Sequence, residues 1–297
     1  MADISKAESY QRSMEEMIDK GYAAKVPADE LQRSDSAVWY LTYHGVTSEH
    51  KPGKSRVVFD CVSLNEHVLQ GPDLTNKLVG VLMKFRQDPI ALIADIEYMF
   101  HQVQVTPCDR VVLRFLWWPG GDLGQDFEKY KMTVHLFNGV WSPSCANYAL
   151  RRTAEDNRAE FCEDVVSCVQ RDFYVDDFLK SVSSLQVAIH FVGKSTELLT
   201  RGGFYLTKWI SIDCEVMKTI VESEKAKVIK GLNLACDKLP TERALGLVWD
   251  VETDTFGFSA VMKDRPPTRR GILSIVSLVY DPLGFLSPSI LPAKAFV

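Results

Sequence analysis

The sequence predicts an α+β fold in which helices are interleaved with a mostly antiparallel sheet, and three observations carry that prediction. Helical periodicity recurs along the chain, as in 74–87, where Leu78, Val81, Leu82 and Phe85 share one face. Short apolar or β-branched runs lie between these stretches, joined by turn-like segments such as Pro119-Gly120-Gly121-Asp122. With 46% hydrophobic residues, 297 residues can bury a substantial core, as one large or two coupled globular units.

Taken in order, 8–21 reads as a helix whose charged run Glu15-Glu16-Met17-Ile18-Asp19-Lys20 is stopped by Gly21. Residues 36–60 read as strands, with Lys51-Pro52-Gly53-Lys54 as the turn between them. The run Pro89-Ile90-Ala91-Leu92-Ile93-Ala94-Asp95 has the pattern of a buried strand closed by a carboxylate. Val111–Trp118 and Tyr130–Leu136 read as a strand pair. Helices follow from about Ser144 to Arg158 and from Ser184 to about Thr200, the second packing Val187, Phe191 and Leu198. From about Leu245 the chain turns β-rich, then apolar and proline-punctuated, and no repeat or low-complexity linker occurs.

Composition narrows the function classes. The seven cysteines lack C-x-x-C spacing, which favours reduced thiols over a disulfide framework or zinc knuckle. No apolar stretch reaches membrane-spanning length, and the amino end lacks a secretory signal pattern. Glycine-rich phosphate loops, zinc-peptidase helices and nucleophile elbows are missing too. Thirty-four basic against thirty-nine acidic residues give a net charge of −5, where a nucleic-acid binder often has a basic excess. A nucleic-acid surface would have to be a local cleft built from Lys51, Lys54 and Arg56, then Arg151-Arg152, with Lys225, Lys227, Lys230, Arg269 and Arg270 adding backbone contacts. Each cluster alone also describes a solvated face.

The densest chemistry lies in Asp172-Phe173-Tyr174-Val175-Asp176-Asp177-Phe178-Leu179. Two adjacent carboxylates in an apolar run need a cation or partner. Adjacent strand residues face opposite sides, so only a tight turn lets both oxygens approach one metal site. Alone, the tetrapeptide equally describes a polar hairpin turn, and Asp95 equally describes a cap. Together, a strand-end Asp and a distant Asp-Asp hairpin are what two-metal nucleotidyl transfer needs, since hard divalent cations take oxygen ligands.

On these residues the chain resembles the reverse transcriptase of long-terminal-repeat retrotransposons, most closely those of the BEL/Pao group, from about Tyr10 to the carboxyl end. The resemblance implies a right-hand polymerase with palm and fingers. Residues 1–88 would form the fingers and an N-terminal helical segment, 89–210 the palm, and 211–297 the primer-grip region and the start of a connection. Asp95, Asp176 and Asp177 match the catalytic carboxylates and, with the Ile96 carbonyl, the implied ligands of two Mg²⁺ ions, Mn²⁺ being the other candidate metal. Lys54-Ser55-Arg56, followed by Leu64-Asn65, resembles the motif that holds the incoming triphosphate. Arg56 would be the phosphate ligand, a planar fork suited to two oxygens, with Lys54 or Lys51 beside it.

Phe100, five residues after Asp95, matches the steric gate that excludes a 2′-hydroxyl. His135-Leu136-Phe137-Asn138-Gly139-Val140-Trp141-Ser142-Pro143 resembles the next motif, with Phe137 against the nucleotide and Asn138 where glycine is common. Either Asn138 takes positive φ there, or Gly139 supplies the turn in a loop one residue shorter. Gly203-Phe204-Tyr205-Leu206-Thr207-Lys208-Trp209 resembles the stretch whose lysine protonates pyrophosphate, making Lys208 the candidate general acid. Ala244–Asp250 resembles the primer-grip hairpin, and Asp281-Pro282-Leu283-Gly284 a signature of these elements.

The implied partners are an RNA template, a DNA or RNA primer, the RNA–DNA hybrid and deoxynucleotides, with ribonuclease H, integrase and protease as further products of one polyprotein. The implied location is the cytoplasm, within a virus-like particle. Two readings compete: a palm polymerase making RNA on RNA, opposed by bulky Phe100 and the Tyr-Val-Asp-Asp form, and a domesticated or decayed non-catalytic nucleic-acid-binding scaffold.

Overall fold

A computed structural model describes residues 2–31, 37–48, 51–234, 237–258, 266 and 268–295. Its strands are β1 (Ala23–Lys25), β2 (Thr42–Ser48), β3 (Lys51–Asp60), β4 (Ile90–Ile96), β5 (Arg114–Trp117), β6 (Glu128–Met132), β7 (Phe173–Tyr174), β8 (Asp177–Val182), β9 (Leu206–Ser211), β10 (Thr241–Ala244), β11 (Leu247–Asp250) and β12 (Thr255–Gly257). Its α-helices are α1 (Ala2–Asp19), α2 (Ala28–Leu31), α3 (Val62–Asn65), α4 (Leu78–Lys84), α5 (Ser142–Asp156), α6 (Glu163–Arg171), α7 (Leu185–Arg201), α8 (Cys214–Thr219), α9 (Arg269–Val276) and α10 (Ser287–Ala295). Every strand pairing within the four sheets is antiparallel. The fold class is α+β.

The chain forms two compact units, 1–74 with 98–149 and 75–97 with 150–297, so α5 crosses the division. In the first unit, the sheet β1-β6-β5 and the hairpin β2-β3 share a core that includes Met14, Phe59, Phe115, Trp117 and Met132. Under it lies a half-buried ion cluster. Lys131 Nζ sits 2.5 and 2.6 Å from the two Glu30 oxygens, and Arg114 donates to the Glu30 carbonyl at 3.0 Å.

In the second unit the four-stranded sheet runs β7-β8-β4-β9. α4 packs on β7 and β8, α6 on β7, α7 on β4, and α8 on β9. α7 starts where Ser184 Oγ accepts from Val187 N–H. It ends in a left-handed turn: Gly203 has φ +77, Phe204 N–H donates to Leu199 and Gly203 N–H to Thr200. That pattern, with Phe204 buried, is a Schellman stop, and it explains the Gly-Phe pair that leads into β9.

Several expectations need correction. Lys51-Pro52-Gly53-Lys54 is strand, not turn: Lys51 pairs with Ser48, and proline fits because every strand of a two-stranded sheet is an edge. Residues 111–113 belong to a 3-10 turn that precedes β5. Val187 is 43% exposed instead of packed, because α7 buries its Phe191, Val192 and Leu198 face. An unanticipated helix, α6, occupies 163–171 and buries Val165, Val166, Cys168 and Val169. No helix among the described residues is long and apolar enough to cross a membrane.

Candidate active site

β4 is buried along both faces, with Leu92 and Ala94 inaccessible, and Asp95 opens to 21% exposure near its end. Asp95 pairs directly with Asp177 of β8. Residues opposite each other in an antiparallel ladder project to the same side, so these two carboxylates share a sheet face. Asp176 occupies the two-residue turn between β7 and β8, closed by the Tyr174–Asp177 pair. Val175, the first turn residue, takes φ +57, unusual for a β-branched side chain. The turn is tied to the next strand by the Ile96 N–H, which donates to the Asp176 carbonyl at 2.9 Å. Below it, Phe178 is fully buried among Phe173, Phe191 and Trp209.

Lys208 reaches the same place from β9. Its Nζ lies 2.8 Å from Asp95 Oδ1, and Thr207 Oγ1 donates to the Asp95 carbonyl at 3.4 Å. Burial first, then the charges of Asp176 and Asp95, push the Asp177 carboxyl up to about 7, with Lys208 pulling the other way. Asp176 is raised in the same direction, by burial and then by Asp95, against its own N–H and Lys208. The site is thus a partly buried, acidic patch with more negative charge than Lys208 balances.

That donor set suits a hard divalent cation, because partly buried carboxylates of like charge gain most from added positive charge. Among the described residues, though, no three His, Cys, Asp or Glu side chains stand grouped as they would to hold a metal ion. The backbone brings the three aspartates to one hairpin and strand end, while the Asp95 side chain is engaged by Lys208. The donors fit the metal; their side chains are not gathered for it.

The residues predicted to hold the nucleotide, Lys54, Arg56, Phe100, Phe137 and Asn138, lie in the first unit, since the division falls between Glu97 and Tyr98. Arg56 is exposed on β3 opposite Val46. Lys51 and Lys54 fall on β3, but their side chains lie outside the described residues. Half-buried Phe100 meets Phe137 edge-on at 5.7 Å, and Phe137 is otherwise 76% exposed. Neither Asn138 nor Gly139 has positive φ. Asn138 instead ties its loop to β3 by donating to the Phe59 carbonyl at 2.9 Å, and a Cβ on Gly139 would lie 2.7 Å from the Trp141 ring, which would have to shift.

Asn65 completes the brace, accepting from Val140 N–H at 3.0 Å and donating to the Asn138 carbonyl at 3.1 Å. The only sequence signal for this bracing role is a polar residue closing a short apolar helix. Of the basic candidates, Arg152 pairs with Asp156, and Lys225 is turned inward at 12% exposure against Glu222.

Two C-terminal motifs acquire local explanations. Leu245 and Gly246, with φ +49 and +88, form the tight turn of β10 and β11, and a Cβ on Gly246 would lie 2.8 Å from Tyr280. Asp281 holds the Asp-Pro-Leu-Gly turn, its carboxylate accepting from Phe285 and Leu286 N–H at 3.0 and 2.7 Å.

No family profile and no curated protein matches the sequence. Solved structures do. A foamy viral protease-reverse transcriptase in complex with double-stranded DNA aligns over 97% of this chain and 43% of its own, at TM-score 0.61 and 15% identity. A second such complex aligns over 97% of this chain and 52% of its own, at TM-score 0.57 and 16% identity. The fold is reverse-transcriptase-like. At this identity the likeness extends to the fold alone, and the chain spans about half the length of the structures it matches.

Proposed function

We propose that this chain is an RNA-directed DNA polymerase, the reverse transcriptase portion of a BEL/Pao-type retrotransposon polyprotein. The single observation that carries the reading is Asp95 standing opposite Asp177, with Asp176 in the turn between β7 and β8, inside a reverse-transcriptase-like fold. Residues 1–88 would serve as fingers, 89–210 as palm and 211–297 as the primer-grip and connection region.

In this reading Asp95, Asp176, Asp177 and the Ile96 carbonyl would hold Mg²⁺, which when bound would supply positive charge beside the primer 3′-hydroxyl and the pyrophosphate. The 3′-hydroxyl gives its proton to water as its oxygen forms a bond to the α-phosphorus of a deoxynucleotide, and the bond to pyrophosphate breaks. Lys208 donates its ammonium proton to that leaving group. Arg56, with Lys54, grips the triphosphate; Phe100, braced by Phe137, excludes a 2′-hydroxyl; Asn138 fixes the Phe137 loop. Positioning and electrostatics do the catalytic work, with no covalent intermediate on a side chain. The partners are template RNA, primer and their hybrid, in keeping with the duplex held by the structurally similar viral enzymes.

Primer extension on RNA and DNA templates with Mg²⁺ tests this reading. Wild-type protein should extend the primer and Asp176→Asn should not; equal extension by both would refute the assignment. A second reading, a non-catalytic nucleic-acid-binding scaffold, is favoured by the ungathered carboxylates. Hybrid binding without any incorporation by wild-type protein would select it.

A further inference from the structure

Lys208 is set onto Asp95 by backbone geometry that a lysine does not adopt freely. Between Ile93 and Asp95 the pairing of β4 with β9 slips: Ile93 faces Ile210, but Asp95 faces Thr207, so Lys208 and Trp209 together stand opposite Ala94. At this bulge Lys208 takes φ +57, in the left-handed region. Regular pleating would send Thr207 and Lys208 to opposite faces. The bulge instead brings Lys208 Nζ to 2.8 Å from Asp95 Oδ1, while Trp209 is fully buried. Backbone strain of this kind is concentrated at functional sites.

We propose that Lys208 is a latch on the metal site: its ammonium is the counter-cation of Asp95 in the metal-free protein, and a divalent ion must displace it to use that carboxylate. The inference rests on the polymerase reading above. A further observation agrees with it: no group of three metal-holding side chains is gathered among the described residues while Asp95 is engaged.

The latch is weak enough to open. Its lysine is 62% exposed, and ion pairs that water reaches hold loosely. Opening releases the ammonium beside the carboxylates, where it becomes free to meet the leaving group. A positioning role in the metal-free state and a proton-donating role in the loaded state then belong to one side chain at different moments.

Direct Mn²⁺ binding, read by electron paramagnetic resonance of the free ion without nucleotide or primer, tests the latch apart from turnover. Lys208→Met keeps the apolar stem and removes the charge. It is expected to tighten Mn²⁺ binding about two- to five-fold at low ionic strength, the range of an exposed pair. The gain should shrink as added salt screens the pair. Lys208→Arg is expected to bind as wild type does. Unchanged or weaker binding by Lys208→Met, with wild-type binding intact and abolished by Asp177→Asn, overturns the latch and leaves the polymerase reading standing. Absence of Mn²⁺ binding in wild-type protein, or undiminished binding in Asp177→Asn, overturns the polymerase reading and the latch with it.

Discussion

Asp95 stands directly across from Asp177 in the ladder of β4 and β8, and one residue further the Ile96 N–H donates to the Asp176 carbonyl at 2.9 Å. This short stretch of pairing sets a strand end and a hairpin tip at one place, so the positions of three carboxylates depend on a single register. A one-residue slip would send Asp95 to the opposite face. The Phe178 ring is fully buried in contact with Phe173, Phe191 and Trp209, packing that such a slip would give up.

Burial, and then the charges of the neighbouring aspartates, make the protein sensitive to pH. The Asp177 carboxyl is raised to about 7 in the fold, against about 3.9 in an unfolded chain. A raised folded value means the native state holds its proton more tightly. The associated stability is fully present below about pH 4 and is lost as pH rises through 7. Its full size is on the order of 4 kcal/mol, since each tenfold difference in proton affinity between folded and unfolded chain contributes about 1.4 kcal/mol. Asp177→Asn removes the charge, so the variant should unfold at higher urea than wild type at pH 8, with the difference narrowing toward pH 4. Parallel urea midpoints for the two proteins across that range would contradict the raised proton affinity.

Phe178 makes ring contacts with Phe173, Phe191 and Trp209 at centroid distances of 5.0 to 6.0 Å. Phe178→Ala should cost about 3–5 kcal/mol in chemical unfolding, as expected for emptying a buried aromatic site. Phe178→Leu, retaining more of the volume, should cost less. Equal losses in the two variants would mean that packing is not what anchors the hairpin.

In the first unit, Glu30 is the acid that answers buried Lys131 and Arg114. Glu30→Ala leaves both cations without their carboxylate and should destabilise the protein by about 3 kcal/mol, since stranding a buried charge is costlier than losing an exposed pair. Pairing Glu30→Ala with Lys131→Met should restore part of that loss. A double variant as unstable as the sum of the singles would show that the two groups do not act together.

What could be read in the sequence divides along physical lines. The buried run of β4, the Ser184 start of α7 and the Asp-Asp hairpin were legible because burial, capping and turn chemistry each leave residue-level marks. Helix α6 was not, because Val165, Val166 and Val169 are β-branched residues that local propensity gives to strands, and only its amphipathic packing makes it helical. The bulge at Lys208 was hidden for another reason. A positive φ at a non-glycine residue follows from the register of two paired strands, which a linear pattern does not carry. Asn138 likewise reads in the sequence as a conformational substitute for glycine, whereas its amide makes a long-range bond to Phe59.

The same hidden variable offers a last prediction at the hairpin tip. Val175 holds φ +57, where a β-branched side chain is strained by about 1–3 kcal/mol. Val175→Gly removes that strain but adds freedom to the unfolded chain, an opposing effect of about 0.5–1 kcal/mol. The net expectation is a gain of about 1 kcal/mol. Val175→Asn, which tolerates left-handed backbone, should gain less than glycine, and Val175→Ala, which keeps its Cβ, less again. Thermal or urea midpoints in that order would trace the effect to the backbone. The reverse order would mean that the valine side chain packs usefully and that the hairpin tip carries no strain worth relieving.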